Sequence, residues 1–261
     1  MSTSLLEITV DKAYHLITFN SPETLNAFSQ EMIKELITSL ESLSEEPNPK
    51  PLILTGKGKA FSSGGNLALM KEYADRDQGP DYIKSIVPYV NRVITLLMEY
   101  PGPTMAILNG SAVGGGFNIA MACDFRIVNE RAKFRLGFID IGLTPATGNS
   151  FFVTKTLGIA KTLSLSLLSQ VFTAKQMLDW GLCNQIYTSD TFEEIKSNWK
   201  SKLFSLDPWQ VKSVRKLLYS SLTNSYDQQL QQELETLLEA SSRDLFKNRV
   251  NERLQQIQSK H

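Results

Sequence analysis

The sequence is poor in the residues that build metal centres, disulfide frameworks and imidazole-based catalysis. Its 261 residues include only two cysteines, Cys123 and Cys183, and two histidines, His15 and His261. Two cysteines, each inside an apolar stretch, match no disulfide framework and no metal-ligand spacing, and they suit a reducing compartment. His15 falls in a strand-like segment and His261 at the C-terminus, which leaves no basis for a histidine-dependent triad or a His-rich metal site. An excess of one charge is missing too. The 27 basic side chains balance 27 acidic ones, so no global field draws the chain to nucleic acid or an anionic membrane, and an anionic ligand needs a local site. No apolar run reaches the roughly 18 residues that span a bilayer. Residues 1–16 carry neither the basic region nor the long apolar segment of a secretory leader. The expectation is a soluble, cytoplasmic protein with no metal, no nucleic-acid partner and no membrane partner.

What is present is enough apolar material for an extensive core, 42% of the chain, in a pattern of alternating strands and helices. Leu6, Ile8 and Val10 alternate in the strand manner, Asp11-Lys12-Ala13 turns, and His15, Ile17 and Phe19 return. Ser29 is placed to cap a helix whose Met32, Leu36, Ile37, Leu40 and Leu43 share one face. Prolines at 47, 49 and 51 stop it, and the apolar run 51–56 reads as a buried parallel strand. The plan repeats: a helical stripe from about Asp81 to Tyr100, a Pro-Gly-Pro break, a buried strand over 104–108, a short apolar helix over 117–123, and a strand over 125–128. Beyond residue 190 the composition shifts to helix alone. Three helical stretches are expected there, the last running from Asp227 to Ile257 with a stripe of Leu230, Leu234, Leu237, Leu238 and Leu245. We therefore divide the chain into an α/β core, 1–190, and a C-terminal helical region, 191–261.

Two glycine turns stand out chemically. One, Ala60-Phe61-Ser62-Ser63-Gly64-Gly65-Asn66-Leu67, follows the strand ending at Gly56; the other, Asn109 to Phe117 with Gly114-Gly115-Gly116, follows the strand ending at Leu108. Glycines opening a helix leave N–H groups uncovered at the positive end of the helix dipole, where a phosphate, carboxylate or developing oxyanion binds. Taken alone, either turn also reads as a tight strand-to-helix connection in which glycine only relieves crowding. Neither is followed by Gly-Lys-Ser/Thr, and the dinucleotide fingerprint is absent from its usual place near the first strand. Two such turns, each after its own strand, suggest one N–H from each meeting at a shared carbonyl oxygen.

The run from Ala60 to Leu67, with Asn109 to Asn118 and Ala122-Cys123-Asp124, resembles the crotonase (enoyl-CoA hydratase/isomerase) superfamily. Leu25-Asn26-Ala27, Ile141-Gly142-Leu143-Thr144-Pro145, Thr173-Ala174-Lys175 and Trp180-Gly181-Leu182 fall in that family's order, so the resemblance spans nearly the whole chain. It implies a spiral of repeated β-β-α units, a C-terminal helical region used for trimerisation, and an acyl-coenzyme A thioester, or an acyl carrier protein thioester, as substrate. No separate cofactor is implied, since coenzyme A is part of the substrate. The N–H groups of Gly65 and Gly115 would polarise the thioester carbonyl and stabilise an enolate. Leu25, Ala27, Lys59, Phe61, Ser63, Gly64, Gly114 and Phe138 would line the substrate's path, with Lys57 or Lys59 near the coenzyme A phosphates. A basic face of Lys212, Arg215 and Lys216 would reach a neighbouring subunit's ligand in a homotrimer or dimer of trimers.

The chain departs from that family where acid and base chemistry is done. The positions of the two hydratase glutamates hold Asn118 and Phe138, and a third carboxylate position of some isomerases and dehalogenases holds Ala146. A positioned acid or base is worth about 10²–10⁴-fold in rate, and an amide can orient water but cannot take its proton. Ordinary two-glutamate hydration is disfavoured. Asn118 remains a candidate for orienting water. Asp140 is either a displaced base or a turn residue bound to backbone N–H groups or an arginine. Thr144, Thr147, Asn149 and Ser150 read as turn and cap residues of the next helix. Three functions stay open: an acyl-CoA enzyme of hydratase/isomerase type, a decarboxylase of a glutaconyl-type thioester, and a non-catalytic acyl-CoA-binding subunit.

Overall fold

The N-terminal alternation becomes a hairpin. In the computed structural model, which describes residues 4–259, β1 (Leu6–Val10) pairs antiparallel with β2 (His15–Phe19), Ile8 opposite Ile17. Ile17 and Phe19 are fully buried, but only Leu6 of β1 is, Ile8 and Val10 being 40% and 60% exposed. This is the signature of an edge strand that leans on the core at one end. After β3 (Ala27–Phe28), α1 (Gln30–Ser44) starts where expected, because the Ser29 side chain accepts the Met32 N–H at 3.1 Å. Its buried residues are Met32, Ile33, Leu36, Leu40 and Leu43.

The remainder of the core repeats one plan. β4 (Leu52–Gly56), β5 (Ala60–Ser62) and β6 (Gly64–Gly65) lead to α2 (Leu67–Ala74) and α3 (Gly79–Glu99). β7 (Thr104–Leu108) and β8 (Ser111–Val113) lead to α4 (Gly115–Ala122), and β9 (Phe125–Asn129) and β10 (Lys133–Arg135) lead to α5 (Asn149–Leu167). β11 (Phe172–Thr173), α6 (Ala174–Asp179), β12 (Gln185–Tyr187) and α7 (Phe192–Phe204) complete it. The first strand of each repeat joins a six-stranded sheet, β1-β2-β4-β7-β9-β12, and the second joins a smaller one, β11-β10-β8-β5, while β3 pairs with β6. This is the α/β spiral of β-β-α units that the resemblance implied. β4, β7 and β9 read as continuous apolar runs because both faces of their sheet are covered. One face meets the main core. Ile53, Met105, Ile107, Ile127 and Tyr187 on the other pack with Leu203, Phe192, Ile195 and Trp199 of α7.

The chain divides into two compact units at Leu206/Asp207, so α7, the first helix beyond residue 190, is part of the first unit. The second unit holds α8 (Pro208–Ser220), α9 (Tyr226–Ser241) and α10 (Asp244–Gln258). The single helix expected from Asp227 to Ile257 is therefore two. Ser241 and Ser242 turn their hydroxyls back onto the Leu238 and Glu239 carbonyls, and Arg243 is extended, with φ −86° and ψ 146°. The Arg243 guanidinium lies 4.6 Å from the Trp209 ring centre and 3.6 Å from the Asp207 carboxylate, which holds the break. Among the described residues, no helix is long and apolar enough to cross a membrane. Both cysteines are buried; His15 is buried with Nε2 3.1 Å from Glu46, and His261 lies outside the described residues.

Candidate active site

Two asparagines staple the first glycine turn before any ligand is considered. The buried Asn26 donates to the Lys57 and Ala60 carbonyls at 3.0 and 2.9 Å and accepts the Ser21 N–H. Asn109 donates to the Gly58 carbonyl at 3.0 Å and accepts the Gly56 N–H at 3.1 Å. Leu25 and Asn26 both take left-handed φ, 57° and 56°, which swings Ala27 and Phe28 alongside Gly64 and Gly65 as the β3–β6 pair. Ser62 links the same segments, donating to the Asn26 carbonyl at 2.7 Å and accepting the Gly64 N–H at 3.0 Å.

The second glycine turn then closes onto the first. Gly64 has φ +78°, and a Cβ placed on it would lie 2.5 Å from the Val113 carbonyl oxygen and 3.1 Å from the Gly115 nitrogen. Only a residue without a side chain lets the two turns touch. Gly114 precedes α4, and Gly115 opens it, so the Gly115 N–H has no intrahelical acceptor. Gly65 and Gly115 both line a cavity of about 340 Å³ in the first unit. Its roof is α2 and α3, through Leu67, Met70, Tyr82, Ile83, Ile86, Val87 and Val90, and its far wall runs from Arg135 to Thr147.

Of the candidates read from the sequence, Gly65, Gly114, Gly115, Ser63, Phe138 and Asp140 line this cavity. Leu25, Ala27, Gly64, Lys59, Phe61 and Asn118 do not. Gly64 and Ala27 form the layer behind the wall. Phe61 is fully buried in the core, edge-on to Phe19 at 5.4 Å, and Lys59 is exposed. Asn118 is fully buried with its amide committed. It donates to the Ala146 carbonyl at 2.9 Å and the Thr147 hydroxyl at 2.7 Å, and accepts from Asn149 at 2.8 Å. Asp140 Oδ2 meets the Arg135 guanidinium at 2.7 Å and the Ser169 hydroxyl at 2.6 Å, so the carboxylate is bound by an arginine and at the same time lines the cavity. Thr147 and Asn149 are not the caps of α5, since Gly148 occupies that position in a left-handed conformation.

Lining residues that escaped the sequence reading include Phe28, Met70, Tyr82 and Arg135. Tyr82 begins the buried face of α3 that continues through Ile86, Val90, Val93 and Leu97. A tyrosine at an otherwise aliphatic register was the available signal. Arg135 gave none. The lining has one carboxylate, paired with one guanidinium, and apolar or neutral side chains otherwise. Among the described residues, no group of three or more His, Cys, Asp or Glu could hold a metal.

The sequence and the fold that hold this site have known relatives. Residues 10–256 match the sequence model of Enoyl-CoA hydratase/isomerase. The chain belongs to that family. It is similar to the 1,2-epoxyphenylacetyl-CoA isomerase of Escherichia coli, 28% identical over 221 residues that cover 85% of this chain and 84% of the relative. The trans-2-decenoyl-acyl-carrier-protein isomerase of Streptococcus mutans is 26% identical over 81% of this chain and 80% of its own. A putative enoyl-CoA hydratase of Thermus thermophilus is 32% identical over 69% and 70%. The crystal structure of an enoyl-CoA hydratase from a Polaromonas species superposes with a TM-score of 0.88 at 24% identity, covering 96% of this chain and 97% of that one. That likeness establishes a shared fold.

Proposed function

We propose that this family member is an acyl-CoA enzyme that holds a thioester carbonyl between the N–H groups of Gly65 and Gly115 and shifts a double bond through the resulting enolate. The observation that carries this reading is the contact of the two glycine turns at the cavity wall, with the Gly115 nitrogen 3.1 Å from where a Gly64 side chain would begin. Donors preorganised at a developing oxyanion act strongly where water is excluded, and this cavity is mostly apolar. A double-bond shift moves a proton within the acyl group and consumes no water. It therefore needs one acceptor rather than the glutamate pair, and two of the relatives named above are isomerases. Asp140 is the carboxylate on the cavity wall, and its Oδ1 is the oxygen left to accept a proton, because Oδ2 is held by Arg135 and Ser169. Asn118 acts through Thr147 rather than on the substrate. The exposed leucines of α9 (Leu230, Leu234, Leu237 and Leu238) support a subunit interface of the kind a trimer, or a dimer of trimers, would bury.

The reading is tested by incubating 2-hexenoyl-CoA and 3-hexenoyl-CoA with the protein in heavy water and following mass and double-bond position. Interconversion with uptake of deuterium is expected, lowered about 10²-fold or more by Asp140→Asn. An unchanged mass and position for both thioesters would overturn the assignment.

A further inference from the structure

The cavity wall carries one polar atom that the protein leaves unsatisfied. Tyr82 is 3% exposed, lines the cavity, and its hydroxyl proton reaches no acceptor among the described residues. The ring is held edge-on against Tyr73, with centres 5.7 Å apart. A Cβ built on Gly65 would lie 3.4 Å from the phenolic oxygen, so the hydroxyl stands beside one of the two glycines at the heart of the site. Of its neighbours on the roof, Ile83 and Ile86 offer no acceptor and Met70 only a weakly accepting thioether sulfur. Burial, the larger cause, pushes the phenol above its ordinary pKa against the Asn66 backbone N–H beside its oxygen, so the group is a neutral donor at physiological pH. Phenylalanine would fill the same volume without stranding a donor, and buried polar groups without partners call for an explanation.

A second hydroxyl lies near the other glycine. Thr147 lines the cavity 4.0 Å from where a Cβ on Gly115 would stand. It is held at φ +50°, an unfavourable conformation for a β-branched residue. Its oxygen accepts from Asn118 at 2.7 Å, which leaves its proton to donate elsewhere. Strain of this kind persists where surrounding contacts enforce it and often marks a functional position.

We propose that Tyr82, assisted by Thr147, is a specificity-determining donor that selects acyl thioesters carrying a hydrogen-bond-accepting oxygen on the carbons next to the thioester carbonyl. The inference rests on the enoyl-CoA-type reading above. With the carbonyl oxygen held by two backbone N–H groups, the two flanking hydroxyls are free for a neighbouring oxygen. Their neutrality matches the loss of ionisable groups at Asn118, Phe138 and Ala146.

The test is calorimetry of the native protein and Tyr82→Phe with free coenzyme A, hexanoyl-CoA and 3-oxohexanoyl-CoA. The native protein is expected to bind the oxo thioester about tenfold more tightly than hexanoyl-CoA, the worth of one buried hydrogen bond. Tyr82→Phe should abolish most of that preference, keep the hexanoyl-CoA affinity within about twofold, and melt no lower than the native protein, because it removes an unpaired hydroxyl. An undiminished preference in Tyr82→Phe, or no preference in the native protein, overturns the proposal, as does a lowered melting temperature, which would assign the hydroxyl a structural partner. If neither thioester binds better than free coenzyme A, the acyl-CoA reading itself fails, a result distinct from the loss of Tyr82 selectivity alone.

Discussion

Asn118 works for the fold rather than on the cavity. Its amide serves as a structural clip, binding the Ala146 carbonyl, Thr147 and Asn149 from a fully buried position. Asn118→Leu strands these partners. It is expected to destabilise the protein by about 2–3 kcal/mol, at about 1–3 kcal/mol for buried groups left unpaired, measurable by urea unfolding. Asn118→Glu is expected to fare no better. A carboxylate can accept from Asn149 but repels the Ala146 carbonyl, so hydration of crotonyl-CoA should not appear, and a soluble variant that hydrates it would contradict this placement. Cys183 gives a prediction with a pH sign. Burial pushes its thiol up to about 11, against an opposing pull from Arg126. The neutral thiol favours folding fully below its unfolded pKa, and that contribution fades as pH climbs from the ordinary thiol value toward about 11. Ellman's reagent at pH 8 should therefore label Cys183 only upon unfolding.

Among the elements, the short glycine strand β6 does more than any helix to make the site. Gly64→Ala would drive a methyl group to within 2.5 Å of the Val113 carbonyl and place a side chain at φ +78°. The two turns would separate. Thioester binding is expected to fall at least about tenfold, the loss of one oriented hydrogen bond, while free coenzyme A, which has no carbonyl to hold, binds as before; calorimetry with both ligands distinguishes a local effect from general unfolding. Elements with strong local signals were legible from the sequence: α1 by Ser29 and its apolar face, β4 and β7 by their apolar runs, α3 by its stripe. The break between α9 and α10 was not. It depends on Arg243 reaching Trp209 and Asp207, residues more than thirty positions away, and leucine periodicity carries no trace of such a contact.

For the whole molecule, the exposed leucine face of α9 leads to an expectation about assembly. Leaving it wet is unfavourable by about 25 cal/mol per Å² of apolar surface, and closed symmetry covers every copy of such a face without an open end. Light scattering is expected to find a trimer or a multiple of it, split by Leu234→Glu; a native protein that stays monomeric at micromolar concentration would refute this. The sequence by itself determined the α/β class, the order of repeats and the two glycine turns, because each is a local matter of spacing, caps and residue type. Tertiary structure alone decided which of those residues share a cavity. It set Gly64 against Gly115, kept Asn118 out of the cavity wall, tied Asp140 to Arg135 and Ser169, and stood the Tyr82 hydroxyl beside Gly65. Side-chain direction and solvent exclusion arise from segments far apart in the chain meeting in space, and no single segment encodes that meeting.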